Sequence, residues 1–150
     1  MSFDKQKAEA SKKNLQNADL KNADLQEADL SEGILIEACL ENCNLSEADL
    51  CGTDISGANL KNARLHRTVL YRCRGKEVDF SNAVLTQANL VEANLSGANF
   101  THANLMESNI EGANLTNTCF KDANLSEVNL TGVFLANANL SGVDFTNSEC

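Results

Sequence analysis

The stretch ANLVEANLSGANFTHANL, residues 88–105, repeats one short phrase four times: a small residue, an amide, a large apolar residue and two variable ones. With Asp in place of Asn, the same phrase fills ADLKNADLQEADL at residues 18–30. Working outward from both runs, Leu, Ile or Phe stands at every fifth position from Leu15 to Phe145, and of these 27 positions only Gly75 departs. A period of five matches neither the 3.6 of a helix nor the 2.0 of a simple strand, so neither would hold these side chains on one face. The period fits a backbone that turns a corner every five residues, with each central Leu and the Ala two before it pointing inward and the other three residues facing solvent. Four such sides make a coil of 20 residues. Alanine suits the second inward position because a larger group would collide with its counterparts in a narrow tube. The chain has no proline, as stacked coils need the N–H donors that proline lacks.

The two runs resemble the A-[DN]-L-x-x signature of the pentapeptide-repeat family, and the resemblance extends over about nine tenths of the chain. It implies an all-β fold, a right-handed quadrilateral β-helix of about 6 to 7 coils of 20 residues over residues 14–150. At ~4.8 Å per stacked coil the rod would be roughly 32 Å long. Residues 1–13 break the period and read as an irregular or helical leader, with Phe3 a candidate to cover the first coil. Phe80, Phe100 and Phe120 are 20 apart and are expected to stack as an aromatic ladder in the core. No comparable covering segment follows Phe145, and a bare final coil favours an end-to-end homodimer through the C-terminal coil.

A net charge of −9 and a pI near 4.6 argue against direct nucleic-acid binding, which needs Lys and Arg to displace phosphate counterions. No apolar run approaches the roughly 18 residues of a membrane span, and MSFDKQKAEASKKN lacks the apolar stretch of a signal peptide. The sequons at Asn44, Asn94, Asn99, Asn114, Asn124, Asn129 and Asn139 follow from the repeat itself, and secretion in a eukaryote would expose them to glycosylation. A cytoplasmic location is expected. The six cysteines form neither a disulfide framework nor a paired CxxC metal signature. Cys43 and Cys73 replace the small inward residue; Cys39, Cys51 and Cys119 are expected to face outward, and Cys150 stands where oxidation could cross-link two molecules.

The main departure is RLHRTVLYRCRGKEVDF, residues 64–80, where arginines replace the consensus Asp and Asn and the segment 64–77 reads as atypical and basic. Residues 19–54 hold ten acids against Lys21, residues 61–76 hold six bases and no acid, and residues 77–150 hold nine acids against Lys121. Gly75 at a core position suggests a bulge or small loop within 71–77. Arg64, Arg67, Tyr71, Arg72, Arg74 and Lys76 form a candidate partner-binding patch, since exposed Arg with Tyr is typical of interface hot spots. The alternative is that these cations offset acids stacked 20 residues away, as Arg67 would offset Glu47.

Nothing in the sequence points to catalysis or to a cofactor or metal. His66 and His102 fall on different sides about two coils apart, so no shared metal or acid/base pair is expected. The leading expectation is a non-enzymatic protein-interaction or scaffold module with an unidentified protein partner. The family resemblance implies an alternative, a DNA mimic that binds a type II topoisomerase and protects or inhibits gyrase.

Overall fold

The computed structural model describes residues 5–150. Phe3 lies outside the described residues. From Leu15 onward each five-residue phrase contains one turn. Ala18 N–H donates to the Leu15 carbonyl at 3.0 Å, and Asn17, the second residue between them, has φ 57°. Positive φ at the second central residue alone is the requirement of a type II turn. Every corner from Asn17 to Asn147 meets it, 21 with a non-glycine residue and six with glycine. Glycine is matched to its site at Gly52, where φ is +65° and an added Cβ would collide with the Glu32 carboxylate one coil away.

The Asp or Asn before each large apolar residue serves the turn that follows. Asp49 Oδ1 accepts the Cys51 N–H at 2.9 Å, and Asn99 Oδ1 accepts the Thr101 N–H at 3.0 Å. These are Asx-turns, which occupy a donor at the corner.

Parallel bridges join each outward residue to the one 20 positions on, from Asp19↔Cys39 to Asn129↔Glu149. Leu25 N–H donates to the Asn44 carbonyl at 2.8 Å, and Asn44 N–H returns to the Ala23 carbonyl at 3.0 Å. A pairing interval of 20 with a turn every five residues gives four sides. The register holds through residue 75, so the expected bulge or loop is absent: Gly75 N–H donates to Asn94 at 2.8 Å, and Arg74 bridges to both Asp54 and Asn94. Val78, at the inward position that is Ala in most phrases, fills with Ile55 and Leu95 the space a leucine would take.

Inside the tube the inward Leu and Ala are buried from Leu20 to Leu125, and Phe80, Phe100 and Phe120 stack with ring centroids 5.0 and 4.8 Å apart. Three of the polar groups that replace the small Ala donate to the carbonyl 23 residues back, Thr53 to Leu30, Thr68 to Leu45 and Cys43 to Leu20, each at 2.8 Å, whereas Thr118 donates to Leu115, three back, at 2.7 Å. Ser108 makes neither contact: its buried hydroxyl has no partner among the described residues.

At the N-terminal end, helix α1 (Lys5–Ala10) and a 3-10 turn (Lys12–Asn14) lie against the first coil. Ala8 joins the core, the Glu9 carboxylate accepts the Asp29 N–H at 2.9 Å, and the Lys12 carbonyl accepts the Ile34 N–H at 2.7 Å. These contacts occupy edge donors that have no preceding coil to pair with. The Ser31 hydroxyl, followed by the Lys12 ammonium, holds the Asp29 carboxyl down to about 2. At the other end Leu130, Val133, Leu135, Leu140 and Val143 are only partly buried, and Phe134 and Phe145 are 62% and 38% exposed.

Candidate functional site on the lateral walls

The register divides the basic segment between two opposite walls. Arg64 lies on the side centred on Leu65, and Arg67 marks the corner that leaves it. The next side is centred on Leu70 and ends at the corner Tyr71–Arg72. Arg74 is on the side beyond, centred on Gly75, and Lys76 is at its far corner. The six candidate residues therefore do not share one face.

The two walls differ electrostatically. On the Gly75 wall Arg72 Nε meets the Glu92 carboxylate at 2.6 Å and stacks over the Tyr71 ring at 4.9 Å, while Arg74 Nε meets Asp54 at 3.3 Å. Burial pushes the Asp54 carboxyl up, but hydrogen bonds from Ser56 and Arg74 outweigh it and hold the group below its ordinary value. On the Leu65 wall Arg67 turns away from Glu47 and donates to Gln87 at 2.9 Å; Gln87 donates in turn to Glu107 at 2.7 Å. The expected relief of Glu47 is replaced by this ladder, because the amide oxygen of Gln87 accepts the guanidinium while its NH2 still serves Glu107. Lys61 and Arg64 are exposed and have no side-chain partner among the described residues.

Asparagine forms a similar ladder at another corner, with Asn62 donating to Asn42 at 3.2 Å and Asn42 to Asn22 at 3.1 Å. His66 Nδ1 lies 2.8 Å from Thr86 Oγ1, and His102 lies 4.0 Å from Asp122, so the histidines serve separate contacts. A surface cavity of about 450 Å³ is flanked by Glu107, Glu127 and Glu149 with Asn109, Asn129 and Asn147. Among the described residues no group of three or more His, Cys, Asp or Glu is arranged to hold a metal ion.

A family model described as pentapeptide repeats matches in eight copies, over residues 6–35, 14–46, 43–74, 79–117 and 108–147. The chain belongs to the pentapeptide-repeat family. Its fold is accordingly the family's right-handed quadrilateral β-helix, which the parallel 20-residue bridges express. Among solved structures this pentapeptide-repeat protein is similar to Rfr23, a pentapeptide repeat protein from the cyanobacterium Cyanothece 51142, with 33% identity over 70% of this chain and a TM-score of 0.46. The match spans 65% of the Rfr23 chain. HetL, a pentapeptide repeat protein involved in heterocyst differentiation regulation from Nostoc sp. Strain PCC 7120, aligns at 24% identity over 89% of this chain and 81% of its own, TM-score 0.34. Full-length QnrB1, a plasmid-mediated fluoroquinolone resistance protein, aligns at 21% over 89% and 82%, TM-score 0.40. No curated protein matches the sequence.

The thiols of this pentapeptide-repeat protein sort by position. Cys43 and Cys73 are buried, and burial pushes both up to about 12. Cys39, Cys51 and Cys119 face outward but are half-buried; the Thr101 hydroxyl lowers Cys119, whereas burial raises Cys51. Cys150 is exposed. Among the described residues no helix of this pentapeptide-repeat protein is long and apolar enough to cross a membrane.

Proposed function

We propose that this pentapeptide-repeat protein is a non-enzymatic interaction module of the cytoplasm whose lateral walls bind a protein partner. The observation that carries the reading is the fixed array of outward side chains. Ladders such as Arg67–Gln87–Glu107 hold polar groups in register on a hydrogen-bonded wall, so a partner would meet a surface already ordered and lose little entropy on binding. The apolar groups exposed around Phe145, Leu130 and Leu135 support a second partner, another copy meeting this one end to end through the C-terminal coil. Affinity capture from source-cell lysate, comparing wild type with Arg64→Glu/Arg67→Glu/Arg72→Glu/Arg74→Glu, followed by calorimetric titration of the purified captured protein, tests the reading. Saturable binding of a protein partner supports it; loss of binding in the variant assigns contact to the basic segment, and absence of any saturable partner overturns it.

The acidic columns favour one other reading. Asp29 and Asp49 are bridged directly one above the other, and the 19–54 region holds ten acids against Lys21. A rod bearing stacked carboxylates supports a DNA mimic that occupies a type II topoisomerase. Inhibition of gyrase supercoiling, or protection of gyrase from a fluoroquinolone, by the purified rod is the expected result of that reading.

A further inference from the structure

The wall centred on Leu65 interrupts the acidic surface. Between Glu47 on one level and Glu107 on another, its successive levels read KNARLHR at 61–67, SNAVLTQ at 81–87 and THANLM at 101–106, and no carboxylate occurs in these stretches. Within this band Lys61 and Arg64 are exposed and unpaired among the described residues, in contrast to Arg72 and Arg74 on the opposite wall. The outward bridge partner of Arg64 one level on is Val84, which breaks the Asp/Asn column and is 38% exposed. Arg67 and His66 border the same strip at the corner, with partners Gln87 and Thr86 that are neutral. A chain with 21 acids and 12 bases thus places uncompensated positive charge beside an exposed aliphatic group on one wall only a few levels high.

We propose that this band, centred on Arg64 and Val84, is the docking surface for an acidic protein segment that also carries apolar residues. Charge complementarity selects the partner: Lys61 and Arg64 are free to pair with its carboxylates, and Val84 gives an apolar residue a place to leave water. An extended segment rising ~3.3 Å per residue needs about three residues to cover the two ~4.8 Å steps from the level of Arg64 to that of Asn104. The inference rests on the interaction-module reading and adds the wall and the partner chemistry.

The probe is a fluorescein-labelled peptide of alternating Glu and Leu, followed by anisotropy and by amide NMR shifts of the intact protein. Wild type is expected to bind it with shifts clustered at Arg64, Val84 and Asn104, and to bind more weakly as salt is raised. Lys61→Glu/Arg64→Glu is expected to weaken binding by roughly tenfold or more, Val84→Asp to weaken it too, and Arg72→Glu/Arg74→Glu to leave it within about twofold. All these positions are solvent-facing, and unchanged amide dispersion verifies the fold of each variant. Wild type that fails to take up the peptide, loss that follows the Arg72/Arg74 variant instead, or a single-stranded oligonucleotide that binds the same amides more tightly than the peptide overturns the proposal. If the peptide fails while a purified protein partner still binds, this inference falls and the interaction module stands.

Discussion

Val78 occupies the space that Gly75 leaves: a Cβ placed on Gly75 would stand 3.3 Å from Val78 Cγ1 and 2.7 Å from Leu95 Cδ2. The two departures from the repeat are one packing solution. Gly75→Leu alone should overpack this level and lower stability by ~1–3 kcal/mol, and Val78→Ala alone should open a void at a cost of ~1–2 kcal/mol. The double variant restores the ordinary phrase and should lose much less than the sum. A double-mutant cycle by urea denaturation checks this; additive effects would show that the two positions are independent.

Asn99 Oδ1 accepts both the Thr101 N–H at 3.0 Å and the Thr101 hydroxyl at 2.6 Å. Asn99→Ala should therefore lower stability by about 1 kcal/mol. Asn99→Asp keeps the acceptor and should sit near wild type. Equal loss in both variants, read from urea midpoints, would remove the Asx-turn from the account.

Phe100 is sandwiched between Phe80 and Phe120. Phe100→Ala should cost ~3–5 kcal/mol and Phe100→Leu ~1–2 kcal/mol. Phe145 is 38% exposed, so Phe145→Leu should change stability by no more than ~0.5 kcal/mol. Comparable losses at Phe100 and Phe145 would contradict the stacked core.

Burial pushes the Cys43 and Cys73 thiols up to about 12. Their folded-state value is raised, so the stability they contribute is fully present below the unfolded thiol value near 8.5–9 and is lost as pH climbs from there toward 12. Within that window the unfolded chain has released the proton while the folded one keeps it, and stability should fall by about 1.4 kcal/mol per pH unit for each thiol. The difference between wild type and Cys43→Ala/Cys73→Ala in urea unfolding at pH 8 and pH 10.5 isolates this slope from the other titrating groups. In native protein at pH 8 a thiol reagent should modify Cys150 first and Cys43 and Cys73 only after unfolding.

The five-residue spacing of Leu15 to Phe145 made the tube and the inward or outward sense of most side chains legible, because only a corner at every phrase keeps those groups together. Counting by 20 also places the basic residues, and it is enough to see Arg64 and Arg74 on opposite walls. The positive φ at every corner was hidden, since Asn17, Glu27, Arg67, Gln87 and His102 all occupy that position and no single residue type marks it. Gly75 misled as an isolated signal; read with Val78, its neighbour in the core, it describes compensation. The choice Arg67 makes between Glu47 and Gln87 lies in side-chain torsions, which periodicity does not encode.

Because each corner closes on its own turn and each side sends the same pair inward, excising one phrase shortens the winding by a quarter revolution while the bore keeps a similar lining. Without residues 81–85, Glu92 would swivel from beneath Arg72 to beneath Arg67, and Gly97 would take its former place. Every group downstream would be re-aimed by 90° with no side chain exchanged. Duplication or loss of an internal phrase is thus a dial for this protein's outer groups.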